Sequence, residues 1–133
     1  MTKITNLLVS QSKRASFMPE MFGRSHMIAE NLIYTTMEKF CRTYAGGLWN
    51  FYKLSNGGFY MAPELDTTMP FFIATNDFEG ELSADAAGIV VTMYVLNYFC
   101  CKTENEDLID KYYHLRNFAL EHKEARLIFA AID

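Results

Sequence analysis

Apolar side chains recur at helical spacing from Ser25 to Tyr44. Ala29, Ile33, Met37, Phe40, Cys41 and Tyr44 share one face, and Glu30, Glu38, Lys39 and Arg42 lie off it. Gly46-Gly47 follow, and glycine's access to the left-handed conformation predicts a helix stop there. The period then changes. Aromatic-rich runs over Leu48–Pro63 flank Asn56-Gly57, which predicts a hairpin closed by a type I′ turn. With those two residues at its centre, Ser55 faces Gly58, Leu54 faces Phe59, Tyr52 faces Met61 and Phe51 faces Ala62. One face then carries Leu54, Phe59, Tyr52 and Met61; the other carries Trp49, Phe51, Ala62, Lys53 and Tyr60. Both are largely apolar, so either helices cover both or one is an exposed aromatic patch.

Pro63 ends the second strand, because proline donates nothing to a ladder. Pro70–Thr75 predicts a third short strand, and Asn76–Gly80 a turn-rich loop. Ser83 is placed to cap a helix with Asp85 in its first turn. From Ala84 to Cys101 the chain is apolar almost all round. Ile89-Val90-Val91 would also suit a strand, but the cap, the length and the small residues at the start predict a buried helix. Thr103-Glu104-Asn105-Glu106 matches a capping box, with Leu108, Tyr112, Leu115 and Ala119 at helical spacing behind it. Ala125–Ile132 completes the chain with a last helical turn or two. Residues 1–20 carry no period and read as a loosely ordered arm with a turn around Phe17-Met18-Pro19. The expectation is one α+β domain over residues 21–133. Its small three- to four-stranded antiparallel sheet, with a central hairpin, is packed by three or four helices, one of them buried and central.

Composition narrows the function classes. The 133 residues are 50 % hydrophobic and 21 % charged, enough for a real core. Three cysteines are too few for a disulfide scaffold, and Cys41 and Cys100 sit in apolar runs as core thiols. No stretch reads as the ~20 apolar residues of a membrane span. The apolar patch in Met1–Val9 is too short for a secretory signal, so a cytoplasmic chain is expected. The net charge of −4 is uneven: seven basic and three acidic residues lie before Glu64, five basic and thirteen acidic from there on. Several of those acids stand at helix starts, where the dipole favours them.

Candidate chemistry is sparse. His26, His114 and His122 lack ligand spacing, there is no CxxC, and Cys100 and Cys101 would point about 100° apart on a helix, so neither metal nor cofactor is expected. Gly23-Arg24-Ser25-His26 is no catalytic triad, and neither a nucleophile elbow nor a phosphate loop occurs. Asp77, Glu79, Glu81 and Asp85 read as a solvated loop leading into a helix. By residue chemistry the chain is not an enzyme.

The block Phe51-Tyr-Lys-Leu-Ser-Asn-Gly-Gly-Phe-Tyr-Met-Ala-Pro63, with Trp49 before it, resembles the ArdB/KlcA antirestriction family. Phe17-Met18-Pro19 with Phe22-Gly23-Arg24 resembles that family's segment before its first helix, and Leu82–Val90 the start of its long buried helix. The resemblance runs from about residue 14 to the C-terminus. It implies a small α+β protein of a plasmid or other mobile element that relieves type I restriction of incoming DNA, with no catalytic residue, metal or cofactor to carry over.

Charge then separates two mechanisms. A DNA mimic must approach one negative charge per ~1.7 Å of axis, whereas this chain offsets 16 acids with 12 bases. The expectation is therefore direct or indirect binding to the type I restriction–modification complex through a protein–protein patch, without membrane or strong nucleic-acid binding; the oligomeric state is left open. Candidate contacts are the hairpin tip (Lys53, Ser55, Asn56, Tyr60), the loop residues Asn76 and Asp77, and Arg24. Two rival readings are a DNA-associated accessory protein using Lys13, Arg14 and Arg24, and a small hydrolase using Asp77, Asp85 or His26.

Overall fold

The computed structural model describes residues 3–133. They run in the order β1 (Asn6–Leu8), α1 (Arg14–Phe22), α2 (His26–Phe40), β2 (Trp49–Leu54), β3 (Phe59–Pro63), β4 (Met69–Ile73), β5 (Phe78–Leu82), α3 (Ala84–Thr103), α4 (Glu106–Leu120) and α5 (Ala125–Ile132). The strands form two antiparallel sheets, β1-β2-β3 and β4-β5. The α+β class, the central hairpin and the buried central helix are as expected.

The hairpin differs from expectation in register. Gly57 N donates to Leu54 O at 3.0 Å and Leu54 N to Gly58 O at 2.9 Å. Gly57 alone in the turn has positive φ, at 96°. This is a three-residue loop, a type I turn followed by a left-handed glycine, rather than the two-residue type I′ turn. The extra loop residue shifts pairing by one, so Phe51 opposes Met61 and Tyr52 opposes Tyr60. Helices cover both faces. Phe17 of α1 stacks on Phe51 at 4.8 Å and meets Phe59 edge-on at 5.6 Å, while Tyr60 stacks on Phe118 of α4 at 5.6 Å. All five residues of β3 are buried.

The central helix α3 lies against β3 so closely that a Cβ at Gly88 would fall 2.3 Å from Met61 O and 2.5 Å from Ala62 Cα. Thr92, the buried polar residue of α3, answers the β3 backbone: Met61 N donates to its Oγ1 at 3.3 Å. Ser83 caps α3, its Oγ accepting from Ala86 N at 3.1 Å. By length and composition α3 could cross a membrane, with mean hydropathy 1.4, contrary to the expectation that no segment qualifies. Yet 67 % of its most apolar stretch is buried inside the fold, as a core helix requires.

Residues 1–20, expected as a loose arm, carry β1 and most of α1; Met1 and Thr2 lie outside the described residues. Pro19 reads as a helix breaker, but α1 forms around it because Phe17, Met18, Met21 and Phe22 are all buried. Helix α2 buries Ala29, Ile33, Met37 and Phe40 as predicted, yet ends at Phe40 rather than Tyr44. Cys41 is extended, and the chain turns there to bring the Tyr44 hydroxyl to Trp49 Nε1 at 2.8 Å. Gly46 and Gly47 serve that loop and do not stop the helix. The expected Thr103 capping box is displaced by two residues. α3 runs on to Thr103, and Asn105 caps α4, its Oδ1 accepting from Asp107 N at 2.9 Å. The last three residues of the predicted loop after β4 open the strand β5, which pairs Phe78 with Ile73 and Leu82 with Met69.

Candidate functional site

The hairpin tip is docked rather than free. Asn56 Nδ2 donates to His114 O in α4 at 2.8 Å, and its Oδ1 accepts from Gly58 N at 3.0 Å. His114 lies against the two turn glycines: a Cβ on Gly58 would come within 2.9 Å of His114 Cβ. Ser55 is exposed, its Oγ accepting from Thr5 N at 2.9 Å. Lys53 pairs with Glu20 of α1 at 3.1 Å, each side chain about half in solvent. Tyr60 corrects the sequence expectation outright. It is 0 % exposed, because helices cover both faces of β3 and Phe118 of α4 stacks on its ring, and it is no contact residue.

The other candidates separate. Asn76 is half-buried, its Nδ2 donating to the Tyr94 hydroxyl at 2.6 Å and to Ala131 O, so it ties the β4–β5 turn to α5. Asp77 is exposed beside it at φ 52°, a left-handed conformation that aspartate tolerates. Arg24 is exposed in a short 3-10 turn between α1 and α2. No hydrogen bond among the described residues joins Asp77, Asp85 and His26. Of the basic trio Lys13, Arg14 and Arg24, Arg14 is committed to the core: its guanidinium donates to Trp49 O and lies 4.7 Å over the Phe51 ring.

The densest polar constellation surrounds Asp85 at the start of α3. Tyr60 Oη donates to Asp85 Oδ1 at 2.7 Å and accepts from Asn6 Nδ2 at 2.8 Å. Glu124 N donates to His122 Nδ1 at 2.9 Å, which leaves the ring hydrogen on Nε2, 2.9 Å from Asp85 Oδ2. Glu124 also accepts from Ser83 N at 2.9 Å and from the Ser83 hydroxyl. Burial would raise the Asp85 pKa, but the hydrogen bonds from His122 and Tyr60 and the charge of Lys123 together hold it below the ordinary carboxylate value. Burial, then the hydrogen bond to Asp85, push the Tyr60 phenol far up.

A cleft of about 390 Å³, lined by Asn6, Thr67, Thr68, Ser83, Asp85 and Lys123 among others, opens beside this network. Its chemistry is that of a joint: an ionised carboxylate with each oxygen already bonded, a phenol held neutral, and an imidazole with both nitrogens engaged. Sequence reasoning missed Glu124, which lies where the helical pattern blurs, set His122 aside for want of ligand spacing, and found Asp85 as a helix-start acid and as a residue of the rival hydrolase reading, without its partners. Among the described residues no three His, Cys, Asp or Glu side chains converge as metal ligands. Cys41 is buried, Cys101 is exposed, and burial pushes the half-buried Cys100 thiol up.

Comparison with known proteins gives a consistent set. The family described as Antirestriction protein matches residues 42–133. An Escherichia coli antirestriction protein KlcA is 47 % identical over 132 residues, covering 94 % of this chain and 90 % of its own. A second KlcA of that organism is 43 % identical over 135 residues, with 98 % and 95 % covered. A solved structure superposes with a TM-score of 0.90 at 42 % identity, over 100 % of this chain and 99 % of the other. It comes from work on the KlcA and ArdB proteins that describes a novel fold and antirestriction activity against type I DNA restriction systems in vivo but not in vitro.

Proposed function

The chain belongs to the antirestriction protein family, and from that premise we propose that it relieves type I restriction of incoming DNA by binding a protein of the restriction pathway, neither imitating DNA nor acting as a catalyst. The observation that carries this reading is its 42 % identity, over its whole length, to a structure from the KlcA/ArdB study. Activity of those proteins in vivo but not in vitro fits the mechanism. An occluding DNA mimic acts on the isolated enzyme, whereas a binder that works through a cellular component needs that component present.

Two physical features support the same view. The 16 acids are offset by 12 bases, which leaves a net charge far below the charge density of a duplex. Asp85, at the start of the central helix, is occupied by Tyr60 and His122. Among the residues first considered as contacts, Arg24, Lys53, Ser55 and Asp77 keep atoms in solvent and remain proposed contacts. A patch of ~800 Å² on this chain is enough for a specific partner. The accessory-protein reading loses Arg14 to the core.

The test is phage plating. Cells with a type I system and this protein should plate unmodified phage more efficiently than cells without it, while modification of DNA continues. No relief from folded, abundant protein against several type I systems would refute the function. Sub-micromolar, salt-steep duplex binding would favour the accessory-protein reading instead.

A further inference from the structure

Of the three acids before Glu64, Glu20 pairs with Lys53, and the other two flank one tyrosine. Glu30, Tyr34 and Glu38 follow one another at intervals of four along α2, so they form a single stripe. Neither Glu30 nor Glu38 makes an ion pair among the described residues. Across from the stripe the chain folds Tyr44 back, its hydroxyl accepting from Trp49 Nε1 at 2.8 Å. Tyr34 and Tyr44 meet the Trp49 ring edge-on at 5.3 and 6.0 Å, so buried Trp49 fixes both. Between them lies an open pocket of about 570 Å³ lined by Tyr34, Glu38, Tyr44 and the loop Ala45–Gly47. Nothing lies within 4 Å of where a Cβ would stand on Gly46 or Gly47, so that side is open.

We propose that this pocket receives a cationic side chain, an arginine guanidinium, from the protein that the chain binds. The inference rests on the binding reading above. Aromatic faces attract cations, and a guanidinium suits both a ring it can stack on and a carboxylate it can grip with paired N–H groups. The neighbouring basic residues do not fill the role. Arg14 is held by Trp49 O and Phe51. Lys39 lines the groove between α2 and β4, and Arg42 the cleft beside β4. Burial and the nearby Glu30 push the Tyr34 phenol up to about 12, so it stays neutral beside that carboxylate across the physiological range.

Trp49 is the chain's one tryptophan and reports on the pocket. The full chain is titrated at low ionic strength with N-acetyl-arginine amide and, separately, with its neutral citrulline counterpart. The arginine probe should change Trp49 emission saturably, with a dissociation constant on the order of 1 mM, and Glu38→Gln should weaken it about tenfold. Glu38 is exposed, so this variant should melt like the parent. Equal responses to the two probes, or unchanged binding by Glu38→Gln, would overturn the site. In restriction-proficient cells at matched protein level, Glu38→Gln should lose about tenfold of the parent's relief, the same factor as its binding loss. Full relief by a variant that no longer binds the probe would overturn the partner assignment. Absence of relief from the parent chain would instead refute the function proposed above, while the titration still decides the pocket.

Discussion

Gly88→Ala tests the packing on which the molecule is built. In a helix interior alanine is favoured over glycine by about 1 kcal/mol, and Gly88 has an ordinary helical backbone. Packing opposes the change. The added Cβ would lie 2.3 Å from Met61 O and 2.5 Å from Ala62 Cα, both backbone atoms of a buried strand. Reaching ordinary contact requires α3 and β3 to part by about 1 Å, enough to forfeit a quarter to a half of each dispersion contact across the gap. Overpacking of this kind costs about 3 kcal/mol. The Thr92–Met61 hydrogen bonds, already 3.3 and 3.4 Å long, would stretch beyond useful geometry, at about 1 kcal/mol more. Net of the propensity gain, the loss is about 3 kcal/mol. With an unfolding entropy of roughly 0.3 kcal/mol per degree for a chain of this size, the melting temperature should fall by about 10 °C. Calorimetry or a circular dichroism melt reads this directly. A variant melting within about 2 °C of the parent would refute the close approach of helix and strand.

Three further outcomes follow from the polar contacts. Because the native Asp85 pKa is held below its unfolded value, its stabilisation is present above about pH 4 and is lost as pH falls through the native value; urea melts should show the deficit of Asp85→Asn shrinking over that acid limb. Tyr34, Tyr52, Tyr60 and Tyr94 all have raised native pKa values, so stability should hold below about pH 10 and fall above it as the unfolded phenols ionise, which absorbance-monitored alkaline titration and melts will follow. Asn56→Asp keeps the acceptor for Gly58 N but loses the donor to His114 O, and chemical denaturation should show a loss of about 1–3 kcal/mol.

The parts legible in the sequence were those governed by short-range rules. The Ser83 cap, the apolar run behind it, the stripe on α2 and the left-handed Gly57 each need only neighbours along the chain. What escaped depended on distant partners. Helix α1 contains Pro19 and exists because Phe17 and Phe22 find Phe51, Phe59 and Phe99. The hairpin register turned on one loop residue, and Tyr60 lies in the core rather than at the expected surface because the distant helix α4 brings Phe118 over it. Strand β5 did alternate, Phe78, Gly80 and Leu82 against Glu79 and Glu81, but the turn residues before it hid the period. The Asp85 joint gathers Asn6, Tyr60, Asp85 and His122 from four elements or loops, a convergence that no local pattern marks. The same is true of the Tyr34–Tyr44 pocket, half of which was counted as helix surface and half as helix end.

On the mechanism proposed above, relief comes from stoichiometric binding. The most direct test is to titrate expression of the intact chain in cells carrying a fixed number of type I complexes. Plating of unmodified phage and copies of the protein per cell are measured in the same cultures. Binding predicts that relief climbs in proportion to protein level and saturates once the target is occupied. Full relief that stays independent of protein level down to a few copies per cell would contradict it and point to a catalytic mode of action.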